Sequence, residues 1–198
     1  LSMFTRYGIR SITMDDIARE LGISKKTLYH NFEDKHDLIS RVIDFDIVKN
    51  RKVLEEVHRT DLDAIEELLF VNERIHQDNS GYSPTFYYDL NRYYPETYQR
   101  WLKEKRQNMF GLIVDNLQKG KREGIYRKEI HENAIGKLYV ARMEMLNNYE
   151  IKDVLRTISS DFMQEIFTYH LHGICNEEGL KTLAEIREKS ENTQVKEI

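Results

Sequence analysis

Hydrophobic positions recur along this chain at intervals of three and four residues, the spacing that places side chains on one face of a helix. No stretch alternates apolar and polar residues as a half-buried strand would. The 198 residues include only two prolines and nine glycines, so few positions interrupt a helix. The pattern therefore predicts an all-α protein.

Residues 13–32 contain the most informative pattern, which predicts two short helices joined by a tight turn. Thr13 is placed to cap the first helix, with Asp16 as the returning carboxylate of a capping box. Gly22 predicts the end of that helix, because glycine adopts positive φ without steric cost, and Ser24 predicts the cap of the next. The apolar face of the first helix would consist of Ile17, Ala18 and Leu21.

The second of these helices has an apolar side and a polar side. Leu28 and Phe32 lie four residues apart and are expected to face inward. The outward side then carries Lys26, Tyr29 and His30, with Thr27 and Asn31 at its flank. Such groups read base edges and bind phosphates when a helix enters the DNA major groove, so the pattern favours a DNA-binding helix-turn-helix. An ordinary helical hairpin with a solvated face is the alternative.

Charge and composition fit this interpretation without deciding it. The net charge is −4, but residues 1–32 carry five lysines and arginines against three carboxylates, a net of +2 that leaves −6 for the remainder. The single cysteine, Cys175, excludes an internal disulfide and a multi-cysteine zinc site, and we expect no metal or other cofactor. No apolar run approaches the roughly twenty residues of a membrane span, and no signal-like segment opens the sequence, so the expected location is the cytoplasm.

The motifs around the helix pair resemble the N-terminal domain of TetR-family transcriptional repressors, over about the first 45 residues. The residues that carry the resemblance are Phe4, Tyr7-Gly8, Thr13, Ile17-Ala18, Gly22-Ile23-Ser24, Thr27-Leu28-Tyr29, Phe32, Lys35 and Leu38. It implies a three-helix helix-turn-helix DNA-binding domain in residues 1–45, with helix 1 truncated because the family has a full helix there. A long helix would join it to a helical effector-binding and dimerisation domain in residues 46–190, and residues 191–198 would form a charged tail.

The implied DNA contacts lie in and around the helix pair. Arg10 and Ser11 are available to phosphates, and Lys35 adds a positive charge at a helix N-terminus, which itself attracts anions. The full set of expected DNA-binding residues is Arg10, Ser11, Thr13, Met14, Lys25, Lys26, Thr27, Tyr29, His30, Asn31 and Lys35.

The remaining pattern predicts further helices. The joining helix would run from Lys35 to about His58, with apolar contacts from Leu38, Val42, Phe45, Val48 and Val57. Capping and breaking residues place later helix starts at Thr60 with Asp63, Ser83-Pro84, Pro95 and Asn133, and a helix end at Gly124. Two final helices are predicted in 153–175 and 176–186, and the former has an apolar face broad enough for burial on two sides.

Aromatic residues crowd positions 82–110, and either a plain core or a cavity with tyrosine hydroxyls explains them. By analogy with the family, the effector pocket would be lined by Tyr87, Tyr93, Trp101, Phe110, Tyr139 and Met143. The implied effector is a small apolar or aromatic molecule.

A homodimer is also implied by the resemblance, since the last two long helices of the family form a dimer bundle. The expected interface residues are Phe162, Met163, Ile166, Phe167, His170, Leu171 and Ile174. A central core helix in a monomer is the alternative. A two-fold protein pairs naturally with a palindromic operator.

The sequence offers little to support an enzyme. His170 and His172 are two residues apart, which points them to different sides of a helix, and no base lies beside Cys175. We therefore expect no catalytic activity. The expected function is a ligand-responsive transcriptional regulator, a repressor that binds a palindromic operator as a homodimer and is released by its effector. The alternative is a helical small-molecule-binding or protein-interaction protein that no longer reads DNA.

Overall fold

A computed structural model describes residues 1–57, 61–79, 82–147 and 162–194. Within these ranges the secondary structure is helical, apart from an isolated antiparallel bridge between Tyr126 and Cys175, which confirms the all-α prediction. The helices are α1 (Ser2–Tyr7), α2 (Met14–Glu20), α3 (Lys25–Asn31), α4 (Lys35–Val57), α5 (Ala64–Asn79), α6 (Pro84–Tyr93), α7 (Pro95–Arg122), α8 (Glu132–Asn147), α9 (Phe162–Ile174) and α10 (Glu177–Gln194).

The chain divides into two compact units. The first comprises residues 1–58 and 73–108, and the second comprises residues 59–72 and 109–198. Helices α5 and α7 therefore each contribute to both units. The domain limits expected from the sequence, at residues 45 and 190, stay predictions.

The predicted caps of the helix pair are present. The Thr13 hydroxyl accepts from the Asp16 N–H at 3.1 Å, and the Asp16 carboxylate accepts from the Thr13 N–H at 3.0 Å. Gly22 has a φ of +64°, and the Ser24 hydroxyl accepts from the Thr27 N–H. The apolar face was wrong at Leu21, whose side chain is 61% exposed because it sits at the C-cap, where the chain leaves the helix.

Other helix ends agree with the sequence in part. Ser83 and Pro84 begin α6 as predicted, and Gly124 follows α7 with a φ of +77°. Asp63 caps α5, since its carboxylate accepts from the N–H groups of Ile65 and Glu66, and its predicted companion Thr60 lies outside the described residues.

Two further boundaries were wrong. Helix α8 begins at Glu132, before the predicted cap Asn133, and α10 continues to Gln194 rather than ending at Ile186. The predicted start of α9 at residue 153 lies outside the described residues.

Helix α4 buries the predicted stripe only at its start, where Leu38 is 5% exposed and Val42 packs against the core, and it buries a second stripe beside it; the Val57 side chain lies outside the described residues. Ile39 and Ile43 are each 1% exposed, whereas Phe45 is 64% exposed and Val48 is 50% exposed. Both stripes are apolar, so periodicity alone does not choose between them. The core of the first unit contacts the stripe that contains Ile39, Ile43 and Asp46.

Asp46 is the polar centre of that core. Its carboxylate is 1% exposed and accepts hydrogen bonds from the Trp101 indole N–H at 2.9 Å, the Tyr82 hydroxyl at 2.6 Å and the Asn50 amide at 3.2 Å. Phe86 and Tyr87 surround the Trp101 ring with centroids 5.9 and 5.6 Å away. Burial and the Asp46 charge raise the pKa of Tyr82, so its hydroxyl remains a donor. We define Asp46, Trp101, Tyr82 and Asn50 as the Asp46 cluster.

The second unit is tied together by a buried network between α5, α7 and the segment after α7. The Asn116 amide donates to the Ala64 carbonyl at 2.8 Å, and the Tyr126 hydroxyl donates to the same carbonyl at 3.0 Å. Lys119 pairs with the buried Glu67 at 2.6 Å. Gly120 leaves room for the Tyr126 ring, since a Cβ there would lie 2.1 Å from it.

Candidate nucleic-acid interface

Helices α2 and α3 present the candidate DNA-binding surface. Leu28 is 1% exposed and is the buried residue of α3, so this seven-residue helix is anchored through one side chain and the Ser24 cap. Ile17 and Ala18 of α2 belong to the same apolar core. The remaining side of α3 is exposed to solvent.

Four outward residues of α3 line an open surface depression: Lys26, Thr27, Tyr29 and His30. Among the described residues, Lys26 and His30 make no hydrogen bond or ion pair that would occupy them, and the Tyr29 ring is 44% exposed. The polar groups of Lys26, Tyr29 and His30 are thus available to a partner, whereas the Thr27 hydroxyl already shares a hydrogen bond with the Ser24 hydroxyl at 2.8 Å. These unpaired groups do not destabilise the unbound protein, because water solvates them there.

Neighbouring predicted contacts are already engaged. The Lys25 ammonium pairs with Asp15 at 2.7 Å, and this hydrogen bond raises the pKa of Lys25. The Asn31 amide donates to the Thr27 carbonyl at 2.8 Å, within α3 itself. A DNA contact by Lys25 or Asn31 therefore requires that an existing bond be shared or exchanged.

The residues before α2 hold the local backbone. The Arg10 N–H donates to the Asp89 carboxylate at 2.8 Å, and its guanidinium donates to the Tyr93 hydroxyl at 3.0 Å. The Ser11 hydroxyl donates to the Tyr7 carbonyl at 2.7 Å. Arg10, Ser11 and the cap Thr13 are all exposed, so their role as phosphate contacts stays a prediction.

The structure corrects the expectation for Met14. Its side chain is 6% exposed and packs in the core, because the first apolar position of α2 faces inward. Lys35 is also engaged internally: its ammonium donates to the Ile9 carbonyl at 2.6 Å, and partial burial lowers its pKa.

The aromatic residues expected at the effector site lie in both units. In the first unit, Trp101 and Tyr87 pack around Asp46, whereas Tyr93 is 43% exposed and accepts the hydrogen bond from Arg10. In the second unit, the Phe110 ring lies against Gly136 of α8, and Tyr139 is 2% exposed. The Met143 side chain lies outside the described parts of the structure. Whether these residues line a pocket stays a prediction.

The expected dimer residues on α9 are largely covered by their own unit. Phe167, Leu171 and Ile174 are at most 2% exposed, and Phe162, Ile166 and His170 are partly buried. The Met163 side chain is outside the described residues. Tyr169 of the same helix is 82% exposed. The dimer interface stays a prediction.

Sequence reasoning missed Arg142, a residue of α8. Its guanidinium carbon lies 4.1 Å from the centroid of the Tyr139 ring, and that ring meets the His170 ring edge-on with centroids 5.0 Å apart. Arg142 Nε and His170 Nε2 are buried without a hydrogen-bond partner. Burial and the Arg142 charge lower the pKa of His170 to about 4. The i, i+3 spacing of Tyr139 and Arg142 was the available signal.

Residues 1–42 match the model of the bacterial regulatory proteins of the tetR family. An HTH-type transcriptional regulator of Staphylococcus aureus (strain USA300) is 38% identical over 60 residues, which cover 28% of this chain and 32% of the relative. The match thus spans about a third of that relative's length.

Solved structures extend the likeness to the whole fold. A gamma-butyrolactone receptor (ArpA-like protein) is 13% identical with a TM-score of 0.63, and the alignment covers 97% of this chain and 91% of that one. A TetR transcriptional regulator from Legionella pneumophila is 14% identical with a TM-score of 0.64, covering 87% and 91%. Residues 1–42 are thus similar to the tetR family, and the fold resembles those of the solved structures.

The described residues include no helix with both the length and the hydrophobicity of a membrane span. They also contain no group of three or more histidine, cysteine, aspartate or glutamate side chains placed to hold a metal ion.

Proposed function

We propose that this protein is a transcriptional regulator that binds double-stranded DNA through α3. The observation that carries the proposal is the outward face of α3, where Lys26 and His30 are unoccupied and Tyr29 is exposed. The caps at Thr13 and Ser24 and the buried Leu28 hold this face in place. The match of residues 1–42 to the tetR family supports the same assignment.

The finer parts of the proposal concern assembly and control. We infer a homodimer on a palindromic operator, because a two-fold protein binds two half-sites about one helical turn apart. We also infer, by analogy with the family, that the protein represses transcription in the cytoplasm and that a small-molecule effector relieves this repression. The fold shared with a gamma-butyrolactone receptor supports the presence of an effector without naming it.

The proposed control is a shift of populations. An effector that binds one conformation of the dimer more tightly than the other favours that conformation. Operator affinity falls if the distance between the two recognition helices in that conformation does not match the spacing of the two half-sites. A differential affinity of a few kcal/mol is sufficient for such a switch.

Footprinting of the full chain on the DNA upstream of its own gene, at several salt concentrations, tests the proposal. We expect protection of a pseudo-palindrome whose affinity falls steeply with salt, since phosphate contacts release counterions. Random DNA of the same length is the control. Equal binding to random and upstream DNA would contradict sequence-specific reading, and no binding even at low salt would favour a helical protein that no longer reads DNA.

A further inference from the structure

The contact of α8 with α9 in the second unit contains an incomplete polar site, formed by Tyr139, Arg142 and His170 and here called the Arg142 cluster. Arg142 Nε and His170 Nε2 are buried and have no hydrogen-bond partner. The Tyr139 ring lies between the other two side chains, 4.1 Å from the guanidinium carbon and 5.0 Å from the imidazole centroid. Among the described residues Arg142 forms no ion pair with a carboxylate, and its guanidinium hydrogen-bonds the Tyr139 hydroxyl instead.

Such an arrangement is costly unless something completes it. A guanidinium is always charged and only donates hydrogen bonds, so a buried Nε–H requires an acceptor. A buried polar group without a partner costs about 1–3 kcal/mol, and native proteins rarely keep one without a reason. Tyr139 compensates the charge only in part: its ring and its hydroxyl both interact with the guanidinium, but Arg142 Nε still has no acceptor.

The residues around the Arg142 cluster indicate what kind of molecule would carry the missing hydrogen-bond acceptor. One turn before Tyr139, Gly136 lies against Phe110, and across the contact Phe167 and Leu171 of α9 are buried. The polar cluster therefore sits in an apolar environment. His170 has its pKa lowered to about 4 and is neutral near pH 7, which leaves one positive charge and favours a monoanion.

We propose that the Arg142 cluster binds the carboxylate of an aryl or alkyl carboxylic acid, with Arg142 donating to its oxygens and His170 providing a second hydrogen bond. Guanidinium and carboxylate match in geometry and charge, and the apolar body of the acid would contact the neighbouring apolar side chains. This inference rests on the proposed function, since it gives the chemical class of the effector.

Thermal unfolding of the full chain with matched probes tests the inference. The probes are phenylacetate and decanoate, with phenylacetamide and decanamide as neutral counterparts. We expect each carboxylate at saturating concentration to raise Tm by about 2–4 °C, and each amide to have little effect. Equal shifts with acid and amide, or no shift with either carboxylate, would overturn the proposal.

The variants Arg142→Met and Lys137→Met distinguish a specific effect at the Arg142 cluster from the effect of losing any positive charge on α8. Both remove a cation from α8, but Lys137 is exposed and lies outside the cluster. We expect Arg142→Met to weaken carboxylate binding at least about tenfold and Lys137→Met to leave it unchanged. Undiminished carboxylate binding by Arg142→Met contradicts the proposal.

Stability without a probe provides an independent measurement. If the cluster awaits a ligand, Arg142→Met removes an unpaired buried group and raises the Tm of the unliganded protein, and His170→Phe acts in the same direction. If both variants instead lower Tm, the residues are structural and the inference fails.

DNA binding distinguishes this inference from the proposed function. A wild-type protein that protects its operator but is not stabilised by carboxylates rejects the inference alone. Stabilisation by carboxylates that depends on Arg142, in a protein that binds no DNA, rejects the proposed function and leaves the acid-binding site in place.

Discussion

The two units of this protein each bury a polar cluster, and the two clusters differ in how completely they are satisfied. In the Asp46 cluster, a carboxylate with 1% exposure accepts three hydrogen bonds from side chains around it. In the Arg142 cluster, two buried nitrogen atoms have no partner. Arg142 and His170 are less buried as whole residues than Asp46, but their two unpaired nitrogen atoms are buried, and only the first arrangement is closed.

This difference distinguishes buried polar groups that stabilise the fold from buried polar groups that are available to a ligand. A buried hydrogen-bonded group stabilises one packing arrangement, whereas a buried unpaired group stores free energy that a ligand can release. The outward face of α3 is a third case, in which groups without partners cost nothing because water solvates them. Removing a polar group should therefore have opposite effects on stability in the two clusters.

The largest effect is expected from Asp46→Leu. It leaves the indole N–H of Trp101 and the hydroxyl of Tyr82 buried without an acceptor, so we expect a loss of about 2–5 kcal/mol in the free energy of unfolding. Urea unfolding followed by fluorescence measures it, since Trp101 is the only tryptophan of the chain. Asp46→Asn keeps an acceptor oxygen and should lose less. Equal losses in the two variants would show that the hydrogen bonds are not the cause.

A smaller effect is expected from pH through His170. Burial lowers its pKa from 6.5 to about 4, so between those values the unfolded chain binds a proton that the folded chain does not. Stability should therefore fall as pH falls from about 6.5 to 4, with His170 contributing on the order of 2 kcal/mol.

The matched variant for this pH effect is His170→Phe, which retains the ring shape without the titratable group. Urea unfolding at pH 7 and pH 5 should show a smaller loss for the variant than for the wild type. An identical pH dependence in both proteins would mean that His170 is not buried in its neutral form.

The smallest effect is expected on the surface of α3, where two adjacent lysines form a natural control pair. Lys26→Ala should weaken operator binding by about 1 kcal/mol and reduce the salt slope by about 1, because it removes an unpaired phosphate contact. Lys25→Ala should weaken binding less, since the Lys25 charge is already compensated by Asp15. Fluorescence anisotropy with an operator fragment over a salt series measures both. A larger effect of Lys25→Ala would reverse the assignment of the two residues.

Local features of this protein were readable from the sequence alone. The caps at Thr13, Ser24 and Ser83 and the glycine stops at Gly22 and Gly124 agree with the structure. These features depend on residues within one helical turn of each other, so the sequence contains all the information that determines them. The outward polar face of α3 followed for the same reason.

Only the tertiary structure decided which apolar and polar groups meet. Helix α4 has two apolar stripes, and packing buried Ile39 and Ile43 while it left Phe45 exposed. Two of the three partners of Asp46 lie 36 and 55 residues away in the sequence, and the Tyr139 ring lies between Arg142 of α8 and His170 of α9. Periodicity shows which side of a helix is apolar, but the satisfaction of a buried charge depends on neighbours that are remote in sequence.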